Sequence, residues 1–98
     1  MLAASVNRIY YSMFYGLNAL AISEGYHSGK HAQLIGWFNK NFVRTGKVDF
    51  RYAKIISHAF DKWMLGDYSD MPDFSKNEVE HMLLESKDFI LMIESLLK

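Results

Sequence analysis

Ser5-Val6-Asn7-Arg8-Ile9-Tyr10-Tyr11-Ser12-Met13-Phe14-Tyr15 places two different faces on one helix, and that division decides the fold. At about 100° per residue, Leu2, Val6, Ile9, Met13, Leu17 and Leu20 fall in one arc, with Tyr10 and Phe14 at its edge. Asn7, Arg8, Tyr11, Tyr15 and Asn18 form a second arc. A solvated helix face is normally rich in Lys and Glu; this one offers an Arg, amides and phenols. It reads as a face covered by another helix, a second subunit or a ligand. The plainer alternative is a set of tyrosines that bury their rings in a bundle and satisfy their hydroxyls there.

Outward from this stretch, the same periodicity predicts four helices. The first spans about Leu2 to Glu24 and stops at Gly25, which tolerates the left-handed conformation of a helix end. After the connector Tyr26-His27-Ser28-Gly29, a second helix runs from Lys30 to about Arg44, with Leu34, Ile35, Phe38 and Phe42 inward and Gly46 ending it. Asp49 begins a third, whose inward positions are Tyr52, Ile55, Ile56, Ala59, Phe60 and Trp63; Gly66 weakens its last turn. Tyr68 to Phe74, with the single proline Pro72, reads as loop. Ser75-Lys76-Asn77-Glu78 is a capping box opening a fourth helix with a buried stripe of Val79, Met82, Leu83, Phe89, Ile90, Ile93 and Leu97. No segment alternates with a period of two for long enough to make a strand. The expectation is an all-α, up-and-down four-helix bundle occupying residues 1–98 as one domain.

Composition narrows the function classes. The 98 residues are 50% hydrophobic and 15% aromatic, which marks a globular chain, and they contain no cysteine. Disulfides, thiolate nucleophiles and Cys-based zinc sites are therefore excluded. Asn7, Arg8 and Asn18 interrupt the one apolar run that approaches a membrane span, and the first residues lack a secretory signal, so the expected location is cytoplasmic. Net charge is zero but segregated. Between His27 and Lys62 seven Lys and Arg residues face only Asp49 and Asp61, whereas the stretch from Trp63 onward is acidic. Such segregation builds a phosphate-attracting surface or pairs one helix with the next.

Four blocks in order now resemble a known family. Asn7-Arg8-Ile9-Tyr10-Tyr11-Ser12-Met13-Phe14, then Lys30-His31, then Phe42-Val43-Arg44-Thr45-Gly46-Lys47-Val48-Asp49, then Gly66-Asp67-Tyr68-Ser69-Asp70, are similar to the HEPN domain and most of all to its small stand-alone prokaryotic branch. The resemblance implies a four- or five-helix bundle, commonly a homodimer, often paired with a minimal nucleotidyltransferase antitoxin in a toxin–antitoxin system. That branch usually carries a further helix or half-helix ahead of the Asn-Arg-x-Tyr-Tyr block, so the resemblance also implies a shortened start. Many members are metal-independent endoribonucleases with an Arg, a short spacer, a His and a nearby Tyr; in some pairs the partner transferase adenylylates that Tyr. Here Lys62 stands where the Arg would be and Asp67 where the His would be, with Tyr68 next to it. Lys is a point charge in place of a planar fork, and an ordinary Asp is a poor proton donor at neutral pH.

Lys62, Asp67 and Tyr68 are therefore the candidates for catalysis, and Arg8, Tyr11, Lys62 and Tyr68 those for nucleotide or RNA binding. The substituted motif favours binding over cleavage. The alternatives are an endoribonuclease toxin with a degenerate motif, a purely structural helical dimer, or, for Lys62, Asp67 and Tyr68, a helix-end salt bridge with an anchoring aromatic. Arg8 and Asn7 are expected to be at least half-buried, with Arg8 directed toward Asp67. No cofactor or metal is implied: Ser28-Gly29 breaks the helical register between His27 and His31. His31 is expected in the first turn of its helix, hydrogen-bonded across to the first, and His58 and His81 as partly buried packing residues. The apolar and aromatic breadth of the first helix predicts a homodimer burying part of it and part of the last helix. Light scattering should give twice the chain mass; a monomer at high micromolar concentration rejects this.

Overall fold

From Val6 to Leu20, the arc expected to be buried on the first helix is the arc the structure buries; the Leu2 side chain lies outside the described residues. In the computed structural model, which describes residues 2–68 and 74–98, with side chains for residues 4–65 and 74–98, α1 spans Leu2–Ser23. Val6, Ile9, Met13, Leu17 and Leu20 are buried along it, and Tyr10 and Phe14 are drawn in from the edge of the arc. The helix ends as its glycine suggests: Gly25 takes φ +80 and the Tyr26 N–H donates to the Ala21 carbonyl at 2.8 Å. Three further helical segments follow: α2 (His31–Phe38) continuing into a π-helical turn (Asn39–Val43), α3 (Phe50–Tyr68) and α4 (Lys76–Leu97). No strand occurs among the described residues, and the architecture is an all-α bundle.

α1 lies at the centre, packed against α2, α3 and α4. α3 and α4 run antiparallel, since the start of α3 meets the middle of α4 through Arg51 and Asp88, while the end of α3 meets the start of α4 through Lys62 and Glu78. Tyr52 donates to Asp88 at 3.0 Å and sets its ring against Phe89, which in turn meets Phe38 of α2. Phe38 and Phe89, both fully buried, thus tie α2, α3 and α4 into one core with α1.

Local chemistry explains the element boundaries. The Asp49 carboxylate accepts from the Arg51 N–H at 2.8 Å and so caps α3, one residue before its first helical position. Ser75 caps α4, its hydroxyl accepting from the Glu78 N–H at 3.0 Å. The second helix is not one uniform α-helix as periodicity suggests. Its last turn widens so that the Arg44 N–H reaches the Asn39 carbonyl at 2.9 Å, the Asn41 side chain donates to the Trp37 carbonyl, and Gly46 at φ +82 ends the segment.

Three residues expected in the α4 stripe lie outside it: Leu83 is 43% exposed, Leu97 45%, and Ile90 is only half-buried. The buried line runs instead through Val79, Met82, Ser86, Phe89, Met92 and Ile93. Ser86 occupies the centre of that line because its hydroxyl is satisfied within the helix, donating to the Leu83 carbonyl at 2.7 Å. Leu83 and Leu97 consequently fall to the flanks. Replacing Phe89 with Ala should cost about 3–5 kcal/mol, whereas Lys87→Ala, at an exposed position, should stay within about 0.5 kcal/mol in urea titrations.

Candidate functional site on the first helix

Tyr10 and His31 form the inner half of the site. The Tyr10 hydroxyl lies 2.7 Å from Nδ1 of His31, so the first residue of α2 bonds across to α1 as expected. Sequence reasoning missed what holds the imidazole. Phe14 stacks on one face at 3.9 Å and 8°, and Trp63 of α3 covers the other at 4.8 Å and 3°. The inward positions of Phe14 and Trp63 were legible from periodicity; their convergence on one imidazole was not. Burial pushes the His31 imidazole below its ordinary range, and its place at the positive end of α2 acts in the same direction. Burial and the neighbouring Tyr11 raise the Tyr10 phenol well above its usual range, so it stays protonated.

The outer half is a shallow groove of about 460 Å³ lined by Ala4, Asn7, Arg8, Tyr11, Ser12 and Tyr15, all from α1. Tyr11 links the two halves: it meets Trp63 and His31 edge-on and stacks on Tyr15 at 5.7 Å and 28°. Tyr15 is 64% exposed, a large aromatic left in solvent. The expected burial of Asn7 and Arg8 is not found. Both are exposed, and among the described residues neither has a hydrogen-bond or ion-pair partner. The reason is rotational: Val6, Ile9 and Tyr10 take the buried arc, which leaves positions 7 and 8 on the solvent side of α1; the Asp67 side chain toward which Arg8 is expected to point lies outside the described residues.

The other sequence candidates separate. The Lys62 ammonium pairs with Glu78 at 2.7 Å, both side chains about a quarter exposed (25% and 27%), and it approaches the face of Phe74. Lys62, and with it the Ser75 backbone N–H, holds the Glu78 carboxyl below the usual carboxylate range. Lys62 thus forms a helix-end ion pair with α4. The side chains of Asp67 and Tyr68 lie outside the described residues. His58 and His81 are exposed, against expectation, and His81 sits 3.5 Å from Glu85. No helix among the described residues is long and apolar enough to cross a membrane.

An all-α bundle whose Asn-Arg-x-Tyr-Tyr helix packs against the residue after Lys30 agrees with comparison against known families, in which the HEPN domain matches residues 1–96. The chain belongs to the HEPN domain family. It is 34% identical over 97 residues to a Thermotoga maritima protein named "UPF0332 protein", a match covering 99% of this chain and 74% of the relative. It is 31% identical over 86 residues to "Putative toxin MJ0142" of Methanocaldococcus jannaschii, covering 88% of this chain and 58% of the relative. A second protein of that organism, "Putative toxin MJ0605", is 30% identical over 95 residues, covering 96% of this chain and 69% of its own length. No solved structure matches the chain.

The environment of His31 sets a pH dependence. Its folded pKa is depressed, so above the ordinary imidazole value of about 6.5 the neutral ring contributes fully. As pH falls through that value the unfolded state takes up the proton first and stability declines, levelling only below the folded pKa. Thermal melts from pH 8 to pH 5, bounds of about the histidine titration range, should show this loss, and His31→Phe should lack its share of it. Arg8→Ala should leave the melting temperature within about 2 °C of the parent, since the side chain is exposed and has no partner among the described residues.

Proposed function

We propose that this HEPN-family chain is a cytoplasmic nucleotide- or RNA-binding module that acts with a nucleotidyltransferase partner in a toxin–antitoxin system. The observation that carries the binding half is the groove on α1, where the Arg8 guanidinium, exposed and without a partner among the described residues, stands beside the stacked Tyr11–Tyr15 pair. Cation and exposed aromatic surface are what a nucleotide requires: the guanidinium takes a phosphate through two parallel N–H bonds, and a base stacks on a phenol ring. The arrangement needs no proton donor, which agrees with the Asp67 that replaces the motif histidine. Lys62, neutralised by Glu78, stands outside this ligand set. The toxin names of two relatives, together with the family's pairing habit, support the partner half.

A homodimer belongs to the same reading. Ile22 on α1 and Leu83, Leu84, Leu91 and Leu97 on α4 remain exposed, giving a second copy apolar surface on the two helices from which dimerisation is expected.

Purified protein should bind a short single-stranded RNA weakly, with affinity falling as salt rises, and leave it intact. Arg8→Ala and Tyr11→Ala should each weaken binding about tenfold, measured by fluorescence anisotropy. Efficient metal-independent cleavage that disappears in Tyr68→Phe or Lys62→Ala would replace this reading with the endoribonuclease. Neither binding nor cleavage would leave a structural helical dimer.

A further inference from the structure

The contacts of His31 assign it a part that the motif position does not. Tyr10 is fully buried, and Nδ1 of His31 is the one hydrogen-bond partner of its hydroxyl among the described residues. If Nδ1 carried the proton, the phenol hydrogen would be left buried without an acceptor, a costly arrangement. The phenol therefore donates to Nδ1, and the imidazole proton sits on Nε2. Phe14 and Trp63 cover both faces of the ring, so the exposed part of this half-buried side chain is its outer edge. That edge bears Nε2–H, which has no partner among the described residues. Its neighbour is Tyr11, whose ring meets His31 edge-on at 6.2 Å and which lines the groove with Arg8.

We infer that His31 Nε2–H is a hydrogen-bond donor to the phosphate of a nucleotide held in the Arg8–Tyr11 groove, and that Tyr10 is the positioning residue that keeps the proton on Nε2. The inference rests on the binding reading of that groove and adds a ligand-facing residue and its orienting partner. The aromatic sandwich fixes the direction of the donor, and Tyr10 fixes its identity. His31 is a neutral donor at physiological pH, so its contribution is directional, whereas Arg8 supplies the charge. Together they distinguish a phosphorylated nucleoside from a bare one.

The test uses the full chain with adenosine 5′-monophosphate and adenosine as probes. Long-range nitrogen NMR should show His31 protonated at Nε2 in the parent and a mixture of tautomers in Tyr10→Phe. His31→Phe, which keeps a flat ring in the sandwich, should weaken the monophosphate about tenfold and adenosine hardly at all. His31→Gln, whose amide nitrogen stands near the place of Nε2, should recover part of the loss. Tyr10→Phe should weaken the monophosphate about threefold through the mixed tautomer. If Arg8→Ala loses the monophosphate while folded His31→Phe and Tyr10→Phe bind it like the parent, this inference is overturned and the groove reading stands. Equal loss of both probes in His31→Phe assigns the residue to packing and also overturns it. A parent chain that binds neither probe overturns both readings.

Discussion

The imidazole of His31, clamped between Phe14 and Trp63 and bonded at its inner nitrogen to Tyr10, is the contact on which the rest of the arrangement depends. It is the point where α1, α2 and α3 meet. A neutral imidazole suits it because the ring must be flat enough to stack on both faces and polar enough to satisfy a buried phenol. A phenylalanine there would stack but orphan the Tyr10 hydroxyl, and an asparagine would bond the hydroxyl but forfeit the stack. The cluster also determines which way α1 is turned. With Tyr10 held inward, Tyr11 lies at the border and Arg8 and Tyr15 face out.

This rotation makes the two halves of the site complementary. The inner half is apolar and carries no net charge, and the outer half carries an exposed guanidinium beside a stacked aromatic pair whose Tyr15 lies in solvent. Tyr15 and Arg8, both exposed on the same groove, make no hydrogen bond or ion pair to the bundle among the described residues. Their cost, in apolar exposure and unpaired charge, is the usual mark of a surface shaped for a ligand or partner. The Lys62–Glu78 pair does the opposite, spending a cation on joining the end of α3 to the start of α4. A basic residue in the family's motif region is thereby turned into a fastening between helices.

Periodicity and capping were legible because they depend on residues three or four apart. The inward sets of α1, α2 and α3, the glycine ends at Gly25 and Gly46, and the Ser75 cap followed from local spacing alone. The failures have local causes too. Leu83 lies beside the buried line of α4, and hydropathy cannot foresee that a serine with an internally bonded hydroxyl will occupy its centre. The π-helical turn at Asn39–Val43 likewise leaves no trace in a periodic pattern that continues almost unchanged through it.

The sequence by itself determined the all-α class, the helix order, the Asn-Arg-x-Tyr-Tyr helix with its two faces, and the family; α3 runs one residue further than expected, through Tyr68. Each is encoded in short-range spacing or in the order of blocks along the chain. Only the tertiary structure decided that Arg8 is exposed, that Lys62 answers Glu78, and that Phe14, His31 and Trp63 form one stack. These contacts join residues from different helices, and their partners are chosen by the rotation and offset of whole helices. Those quantities follow from how the full core packs, and no window of the chain contains them.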